Sequence, residues 1–209
     1  MEASFFTRHP FMKDVINIAI FILCVLIGTL LINTFIFRSF SVIGPSMEST
    51  LYTGDHLIIN RLPVTIAHLE NKNYQPKRCQ IIVFKNPQYE PGVQDEYIVK
   101  RVIAFPGEYV QLKDGHYTVY STKADLDAGK GFNPDNCANG EPGSYTTGDI
   151  SPTDPTYNPV PDGDLFVSGD HRYGDYSFDS RNGLGPIPEY DVIGPVGIRI
   201  YPFNKIRTF

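Results

Sequence analysis

The stretch from Val15 to Phe37, VINIAIFILCVLIGTLLINTFIF, runs for 23 residues without an Asp, Glu, Lys or Arg. A helix rises about 1.5 Å per residue, so this run would be about 35 Å long, enough to cross a hydrocarbon core of roughly 30 Å. A cleaved secretory signal has a shorter apolar region of about 7–15 residues, followed by a small-x-small site. The four residues after the run, RSFS, offer no such site. The run therefore predicts a retained transmembrane helix.

Basic residues on either side of the run predict its orientation. Arg8 and Lys13 precede it, whereas only Arg38 follows it before Arg61. The positive-inside rule then makes residues 1–14 a cytoplasmic tail and residues 15–37 a single-pass helix in the cell membrane. Residues 38–209 would form one extracytoplasmic domain, and about 170 residues can bury a real core.

Composition excludes several classes of function. The formal charge is −5, and residues 121–164 carry eight acidic and two basic side chains, so this segment alone is net −6. No basic patch with interleaved aromatic residues appears, which argues against nucleic acid as a partner. The five histidines show no metal-ligand spacing, so no metal is expected. Cys79 and Cys137 would both face the oxidising side and could pair, but the sequence does not decide whether they do.

Beyond the apolar run the pattern predicts β structure, because short runs rich in Val, Ile, Tyr and Phe alternate with Gly, Pro, Asp and Asn. Lys113-Asp114-Gly115-His116 is a strong hairpin signal, since Asp-Gly suits a two-residue turn. Residues 120–163 lose the alternation and predict an exposed, weakly packed, loop-rich insertion on that hairpin. One short helix is possible at 64–72. Strands are predicted at 38–43, 55–60, 80–84, 96–104, 108–113, 116–120, 164–168 and 193–201.

Ser46 stands in Gly44-Pro45-Ser46-Met47, only nine residues after the apolar run ends. Gly and Pro predict a tight bend that presents the hydroxyl, although most serines in such turns bond only their own backbone. A nucleophile at this position would meet a chain that emerges from the bilayer. Ser46 is therefore a candidate nucleophile.

Two adjacent basic residues, Lys100 and Arg101, interrupt the apolar run YIVKRVIAFPGE at 97–108. Side chains alternate across a strand, so one of the two is desolvated if the sheet packs on both faces. Periodicity does not say which, and on an edge strand both would reach water. Arginine does not give up its proton usefully, whereas burial lowers the pKa of lysine by up to about 3–5 units. If a base is needed, Lys100 is the candidate, as a neutral amine that takes the serine proton.

A third segment, GDHRYGDYSFDSR at 169–181, is dense in charged and hydroxyl groups. Two ion pairs are available at short range, Asp170 with Arg172 and Asp179 with Arg181. The alternative is a solvated loop whose surface ion pairs contribute little.

Together with the apolar run, these segments resemble the bacterial type I signal peptidases, or leader peptidases, which are membrane-bound Ser-Lys proteases. Ser46 matches the catalytic serine that directly precedes a methionine in the family's first box, and Ser49 stands where proline is usual. Gly54-Asp55 fits the next short box. Residues 97–108 look like the lysine box, and residues 169–181 are similar to the last box, Gly-Asp-Asn-Arg-x-x-Ser-x-Asp-Ser-Arg.

The resemblance implies a mostly β fold, in which a single transmembrane helix precedes an extracytoplasmic antiparallel β-sheet catalytic domain with a loop-rich insertion. It implies an enzyme, signal peptidase I, that removes N-terminal signal peptides from exported preproteins without metal or cofactor. Ser46 would be the nucleophile and Lys100 the general base. The backbone near Gly44 would hold the oxyanion, and Ser177 would orient the lysine amine. Four residues would form the scaffold of the site: Asp170, Arg172, Asp179 and Arg181.

By the same resemblance, a preprotein would lie extended along residues 41–44 and 97–100. Small apolar pockets for its −1 and −3 residues would be lined by Val42, Ile43, Met47 and Val99. The implied partners are these preproteins, the lipid bilayer and the secretion translocon, with no nucleic acid.

The sequence departs from the family pattern in the last box. Four residues separate Arg172 from Ser177, where two are usual, and His171 replaces the usual Asn. The two extra residues have to bulge outward to leave the contact of Ser177 with the lysine intact.

Three alternatives stay open at this stage. The chain could be a catalytically impaired signal-peptidase-like assembly factor for surface structures such as pili. It could also be a Ser-His-Asp hydrolase that uses His171. The third alternative is a membrane-tethered adhesion module without catalytic activity.

Overall fold

One long helix, α1 (Pro10–Phe35), leads directly into the sheet of the protein. The structure, a computed structural model, describes residues 10–113, 116–136, 156–172, 174 and 176–209. Within them α1 is the one helix long and apolar enough to cross a membrane, with a mean hydropathy of 3.0 over its most apolar window, none of which is buried. It begins five residues before the predicted span and ends two residues earlier, because Phe37 already belongs to β1 (Phe37–Ser41).

The main sheet is antiparallel throughout, in the order β1-β2-β9-β3-β4-β7-β8, and β10 pairs with β9. β5 and β6 form a separate hairpin. The mostly β prediction is confirmed. The remaining strands are β2 (His56–Asn60), β3 (Ile81–Lys85), β4 (Tyr97–Ala104), β5 (Tyr109–Lys113), β6 (His116–Tyr120), β7 (Asp164–Ser168), β8 (Ile187–Pro188), β9 (Val192–Tyr201) and β10 (Arg207–Thr208).

All eight predicted strands are present, with ends within two residues of the prediction. The sequence missed β8 and β10, because two residues are too few to show an alternating pattern. The hairpin between β5 and β6 has the predicted register, with Lys113 opposite His116. The turn residues Asp114 and Gly115 lie outside the described part of the chain.

Two short helices follow. The helix predicted at 64–72 is α2 (Leu62–Leu69), and it begins earlier because a proline is tolerated in the first turn of a helix. The second, α3 (Lys123–Asp127), was not predicted, although Thr122 caps it by accepting a hydrogen bond from the Asp125 backbone N–H.

The insertion is better packed than the sequence suggested where the structure describes it. Val160 is buried in a cluster with residues of the hairpin, and Asp135 is buried in an ion pair. The prediction of an exposed, weakly packed segment is therefore wrong at these two positions. The rest of the insertion, residues 137–155, lies outside the described residues. Cys79 is disulfide-bonded and Cys24 is free, whereas Cys137 falls in that undescribed stretch.

The centre of the main sheet is covered on both faces. Along β3, Ile82 and Phe84 belong to one buried cluster, whereas Ile81 and Val83 belong to another. A third cluster joins the β5–β6 hairpin to β4 and β7. A charged side chain in the middle of β4 is therefore removed from water whichever face it occupies.

Candidate active site

Ser46 lies at a bend that the core holds at both ends. Before it, the Val42 N–H donates to the Asp55 carbonyl and Gly44 has a φ of +87°, a conformation that favours glycine. After it, the Leu51 N–H donates to the Met47 carbonyl, and both of these side chains are buried in the core. The serine itself is half-buried. The bend therefore presents the Ser46 hydroxyl from a fixed backbone.

Lys100 meets this serine from the middle of β4. Its Nζ lies 2.8 Å from Ser46 Oγ and 3.1 Å from the Val99 carbonyl oxygen. The two residues are 54 positions apart in sequence. Only 3% of Lys100 is exposed, because β3 pairs with this part of the strand and both faces of the sheet are packed. The pairing is a direct hydrogen bond between a candidate nucleophile and a candidate base.

Burial gives this lysine a neutral fraction that can act as a base near neutral pH. Desolvation lowers the pKa of Lys100 to about 8, even though the carboxylates of Asp179, Asp170 and Asp95 act in the opposite direction. With that pKa about a tenth of the molecules carry the neutral amine at pH 7, compared with about one lysine in a few thousand at an ordinary pKa. The neutral amine can accept the Ser46 proton across the existing hydrogen bond.

Ser177 lies beside the same backbone. Its side chain is fully buried, and its Oγ has no hydrogen-bond partner within the described residues. Ser177 and the Ser46 backbone can both pack against Gly169 because glycine has no side chain: a Cβ at this position would overlap Ser177 Oγ and the Ser46 carbonyl oxygen. The structure thus brings Ser177 close to the nucleophile's backbone and leaves its hydroxyl available to a donor or acceptor.

Of the two ion pairs predicted from sequence proximity, Asp179 with Arg181 is present, whereas the other is replaced by a pair between Asp170 and Arg101. Asp170 does not pair with Arg172; it accepts two hydrogen bonds from Arg101, at 2.7 and 2.6 Å, and one from Thr50 Oγ1 at 2.5 Å. Burial alone would raise the pKa of Asp170, but the Arg101 guanidinium lowers it below its ordinary value. The alternative of a solvated loop with surface ion pairs is wrong for Asp170, because its carboxylate is fully buried.

Arg172 pairs instead with Asp135 of the insertion, through two hydrogen bonds of 2.9 and 3.0 Å. Desolvation opposes the charge of Arg172, but the Asp135 carboxylate outweighs it, so the pKa of Arg172 is raised. The Arg172 Nε donates to the Gly169 carbonyl at 2.7 Å. Sequence reasoning missed Asp135, because an acid in a Pro/Gly-rich segment carries no signal that it is buried.

The Asp179 carboxylate binds groups at the start of the segment 169–181. It accepts hydrogen bonds from Ser168 Oγ at 3.1 Å and from the Gly169 N–H at 2.9 Å. Arg181 lies 3.7 Å from its carboxylate and donates to the Arg172 carbonyl at 2.6 Å. Asp179 therefore holds the Gly169 backbone, next to which Ser177 and Ser46 meet.

A cleft of about 760 Å³ opens over the two catalytic candidates. Val42, Ile43 and Val99, three of the four residues expected to form substrate pockets, line this cleft. Met47 does not line it: the residue is 1% exposed and packs into the core, so its predicted place in a substrate pocket is wrong. The other lining residues are Phe40, Ser41, Gly44, Pro45, Ser46, Leu57, Val83, Asn86, Gly92, Val93, Gln94, Asp95, Tyr97, Ile98, Lys100, Tyr176 and Phe178.

His171 is bound to the backbone around the serine. The backbone N–H of His171 donates to the Ser46 carbonyl at 3.0 Å, and the imidazole Nδ1 lies 3.2 Å from the Pro45 carbonyl oxygen. The imidazole stacks on Tyr176 with ring centroids 4.6 Å apart. This geometry ties His171 to main-chain groups, while Ser46 Oγ is engaged by Lys100. Among the described residues no group of three or more His, Cys, Asp or Glu side chains is placed to hold a metal ion.

Comparison with known proteins places this chain in a family. The model of the family "Signal peptidase, peptidase S26" matches residues 12–201. Signal peptidase I of Bacillus licheniformis is 33% identical over 89% of this chain and 88% of its own length. Signal peptidase I T of Bacillus subtilis (strain 168) is 34% identical over 85% of this chain and 81% of its own length. A crystal structure of a signal peptidase I from Enterococcus faecalis V583 is 26% identical, covers 58% of this chain and 96% of that chain, and has a TM-score of 0.36. The family match and the similarity to the two Bacillus enzymes show that the chain belongs to the signal peptidase family, peptidase S26.

Proposed function

We propose that this chain is a membrane-anchored serine endopeptidase that removes signal peptides from exported preproteins with Ser46 and Lys100. The observation that carries the proposal is the 2.8 Å hydrogen bond between Lys100 Nζ and Ser46 Oγ, made by a buried lysine whose pKa is lowered to about 8. A serine and a depressed-pKa lysine are sufficient for acyl transfer without a histidine.

The reaction follows from that contact. Neutral Lys100 takes the Ser46 proton, and Ser46 Oγ attacks the carbonyl carbon of the last signal-peptide residue. The protonated amine then gives its proton to the departing main-chain nitrogen, so the mature chain leaves and an acyl-enzyme remains. Lys100, again neutral, activates a water molecule that releases the signal peptide.

Two groups support these steps in the proposal. The N–H of Ser46, at the bend that begins at Gly44, would stabilise the negative charge on the carbonyl oxygen. The buried Oγ of Ser177 has no hydrogen-bond partner in the described residues. It would accept a hydrogen bond from the protonated amine of Lys100, in addition to the contacts that this amine makes with Ser46 and the Val99 carbonyl. The Asp170, Arg172, Asp179 and Arg181 side chains would hold this constellation without touching the substrate.

The open edges of two strands suggest how a preprotein binds. Within the part of the chain that the structure describes, β7 pairs only with the second half of β4, so Tyr97–Lys100 keeps one free edge, and β1 is the terminal strand of its sheet. An extended segment between residues 41–44 and 97–100 would add a strand. Val42, Ile43 and Val99 would then border small pockets for the −1 and −3 residues.

The orientation of the chain is also a proposal. Residues 1–14 would be cytoplasmic, α1 would supply the membrane span predicted at 15–37, and residues 38–209 would lie outside the cell membrane. The disulfide bond of Cys79 supports this orientation, because such bonds persist in oxidising compartments. Preproteins delivered by the secretion translocon would then meet the cleft as they emerge from the bilayer.

The alternative of a catalytically impaired assembly factor is not favoured. The nucleophile and base are both present and in hydrogen-bond contact, and the curated relatives are signal peptidases.

The proposal is tested by the cleavage of a preprotein with an Ala-x-Ala site by the full chain in detergent. Wild-type protein should process it, and Ser46→Ala and Lys100→Ala should not. His171→Ala should retain activity, since its ring bonds a backbone carbonyl rather than the serine. Activity that survives in Lys100→Ala but disappears in folded His171→Ala would replace the Ser-Lys mechanism with a histidine-based one.

A further inference from the structure

The short helix α2 carries an apolar stripe that the rest of the protein leaves uncovered. Leu62, Ile66 and Leu69 are 45%, 48% and 80% exposed. Their spacing of four and three residues puts them on one face of the helix. Val64, in contrast, is buried in the core cluster beneath the sheet. The helix thus packs on the protein with one side and presents leucine and isoleucine with the other.

This stripe begins where α1 ends. The Arg61 N–H donates to the Ile36 carbonyl at 2.7 Å, and Thr65 Oγ1 donates to the Phe35 carbonyl at 2.7 Å. These bonds occupy two carbonyls at the end of the apolar segment, which would otherwise lack partners. A span of about 30 Å ends near Phe35 when it starts near Val15, so the first turn of α2 lies at the edge of the hydrocarbon region.

The charged side chains at the start of the stripe are basic, and at its other end Glu70 is paired with Lys72. Arg61 and Arg38 lie close enough that Arg38 contributes to a lowered pKa of Arg61, after the larger effect of burial. The Arg61 Nε is buried and has no hydrogen-bond partner within the described residues. Arginine next to an exposed apolar face is the composition of helices that lie in a membrane interface, where the phosphate groups of lipids meet the cations.

We propose that α2 is an interfacial helix that lies in the headgroup region of the same membrane leaflet, with Leu62, Ile66 and Leu69 inserted among the lipid acyl chains. The apolar surface of α1 then continues without a break onto the folded domain. This surface is an addition to the proteolytic reaction proposed above, and it requires only that α1 spans the bilayer. With α1 and α2 both in the membrane, the domain has two points of attachment and cannot rotate freely about the end of α1.

The chain contains no tryptophan, which makes the depth of α2 directly measurable. The full-length Ile66→Trp and Leu69→Trp variants are reconstituted in vesicles of phosphatidylcholine and phosphatidylglycerol whose acyl chains carry bromine at known depths. Phe132→Trp is the matched control, because Phe132 is 39% exposed and lies beside β6. We expect at least threefold more quenching for the two α2 variants than for the control, greatest with bromine near the headgroup end of the chains.

Equal quenching in all three variants would overturn the interfacial position of α2. Loss of vesicle association by the wild type would overturn the anchor itself, so the two failures are distinguishable. A second measurement uses Leu62→Ser/Ile66→Ser/Leu69→Ser, which changes only exposed side chains. We expect it to cleave a membrane-inserted preprotein at least threefold more slowly than wild type and a short soluble peptide at the same rate; an unchanged ratio of the two rates would also overturn the inference.

Discussion

The pH dependence of cleavage should report the titration of Lys100. Its pKa of about 8 means that about 90% of the enzyme carries the neutral amine at pH 9, about 10% at pH 7 and about 1% at pH 6. If the neutral form alone takes the Ser46 proton, kcat/KM falls roughly 90-fold from pH 9 to pH 6, with one proton bound and a midpoint near 8. An unperturbed histidine would instead give a midpoint near 6.5, and an unperturbed lysine one near 10.4.

The assay is the initial rate of cleavage of a preprotein in detergent at subsaturating concentration, in buffers of constant ionic strength. Circular dichroism at each pH establishes that the enzyme remains folded across the range, and Lys100→Arg serves as the matched control because arginine keeps its proton throughout. That variant should be inactive at every pH. A midpoint near 6.5 that disappears in His171→Ala would refute the assignment of Lys100 as the base.

Four further outcomes follow from the same geometry. Lys100→Met should raise the free energy of unfolding at pH 7 by about 3 kcal/mol in thermal or urea melts. Folding lowers the pKa of Lys100 from 10.5 to about 8, so the folded wild type has to keep a charged amine buried at pH 7. Between pH 8 and 10.5 the unfolded wild type binds more protons than the folded protein, so its stability should rise with pH in this range. The same pH dependence of stability in Lys100→Met would show that Lys100 is not its cause. Asp95→Asn removes a carboxylate that raises the lysine pKa, so the midpoint of single-turnover cleavage should move to lower pH; a move to higher pH would count against it. Asp135→Asn should lower the free energy of unfolding by about 3–5 kcal/mol, because it removes the carboxylate that balances the buried charge of Arg172. Asp127→Asn, in an exposed pair with Lys123, should change it by less than about 1 kcal/mol. Gly169→Ala should reduce cleavage about 100-fold while the protein stays folded, because the new Cβ displaces Ser46 or Ser177; an active folded variant would show that the site tolerates the shift.

The positions of the strands were the feature best predicted from the sequence, because local residue patterns determine them. Short runs rich in Val, Ile, Tyr and Phe stand between segments with Gly, Pro, Asp and Asn, and this pattern predicted β2, β6 and β7 to within one residue. The relation between Ser46 and Lys100 was predicted by chemistry and family resemblance, not by spacing, because no local rule connects two residues 54 positions apart.

Side-chain contacts between segments that are far apart in the chain could not be predicted from local sequence patterns. Arg172 pairs with Asp135, 37 positions away, rather than with the neighbouring Asp170, because two residues that are close in sequence need not face each other. Met47 was expected in a substrate pocket, but a turn has no period that predicts the direction of a side chain. In the structure Met47 fills the core below the bend and thereby holds the serine in place.

The direct passage from α1 into β1 would also set a distance that a substrate has to match, if α1 spans the bilayer as proposed. β1 is extended from Phe37 to Ser41, and the chain up to Ile43 advances about 20 Å at most, at roughly 3.3 Å per residue. A preprotein that leaves the bilayer beside α1 would need about six extended residues to cover the same distance. The segment between a signal peptide's apolar core and its cleavage site would then have a minimum length, set by the length of this strand.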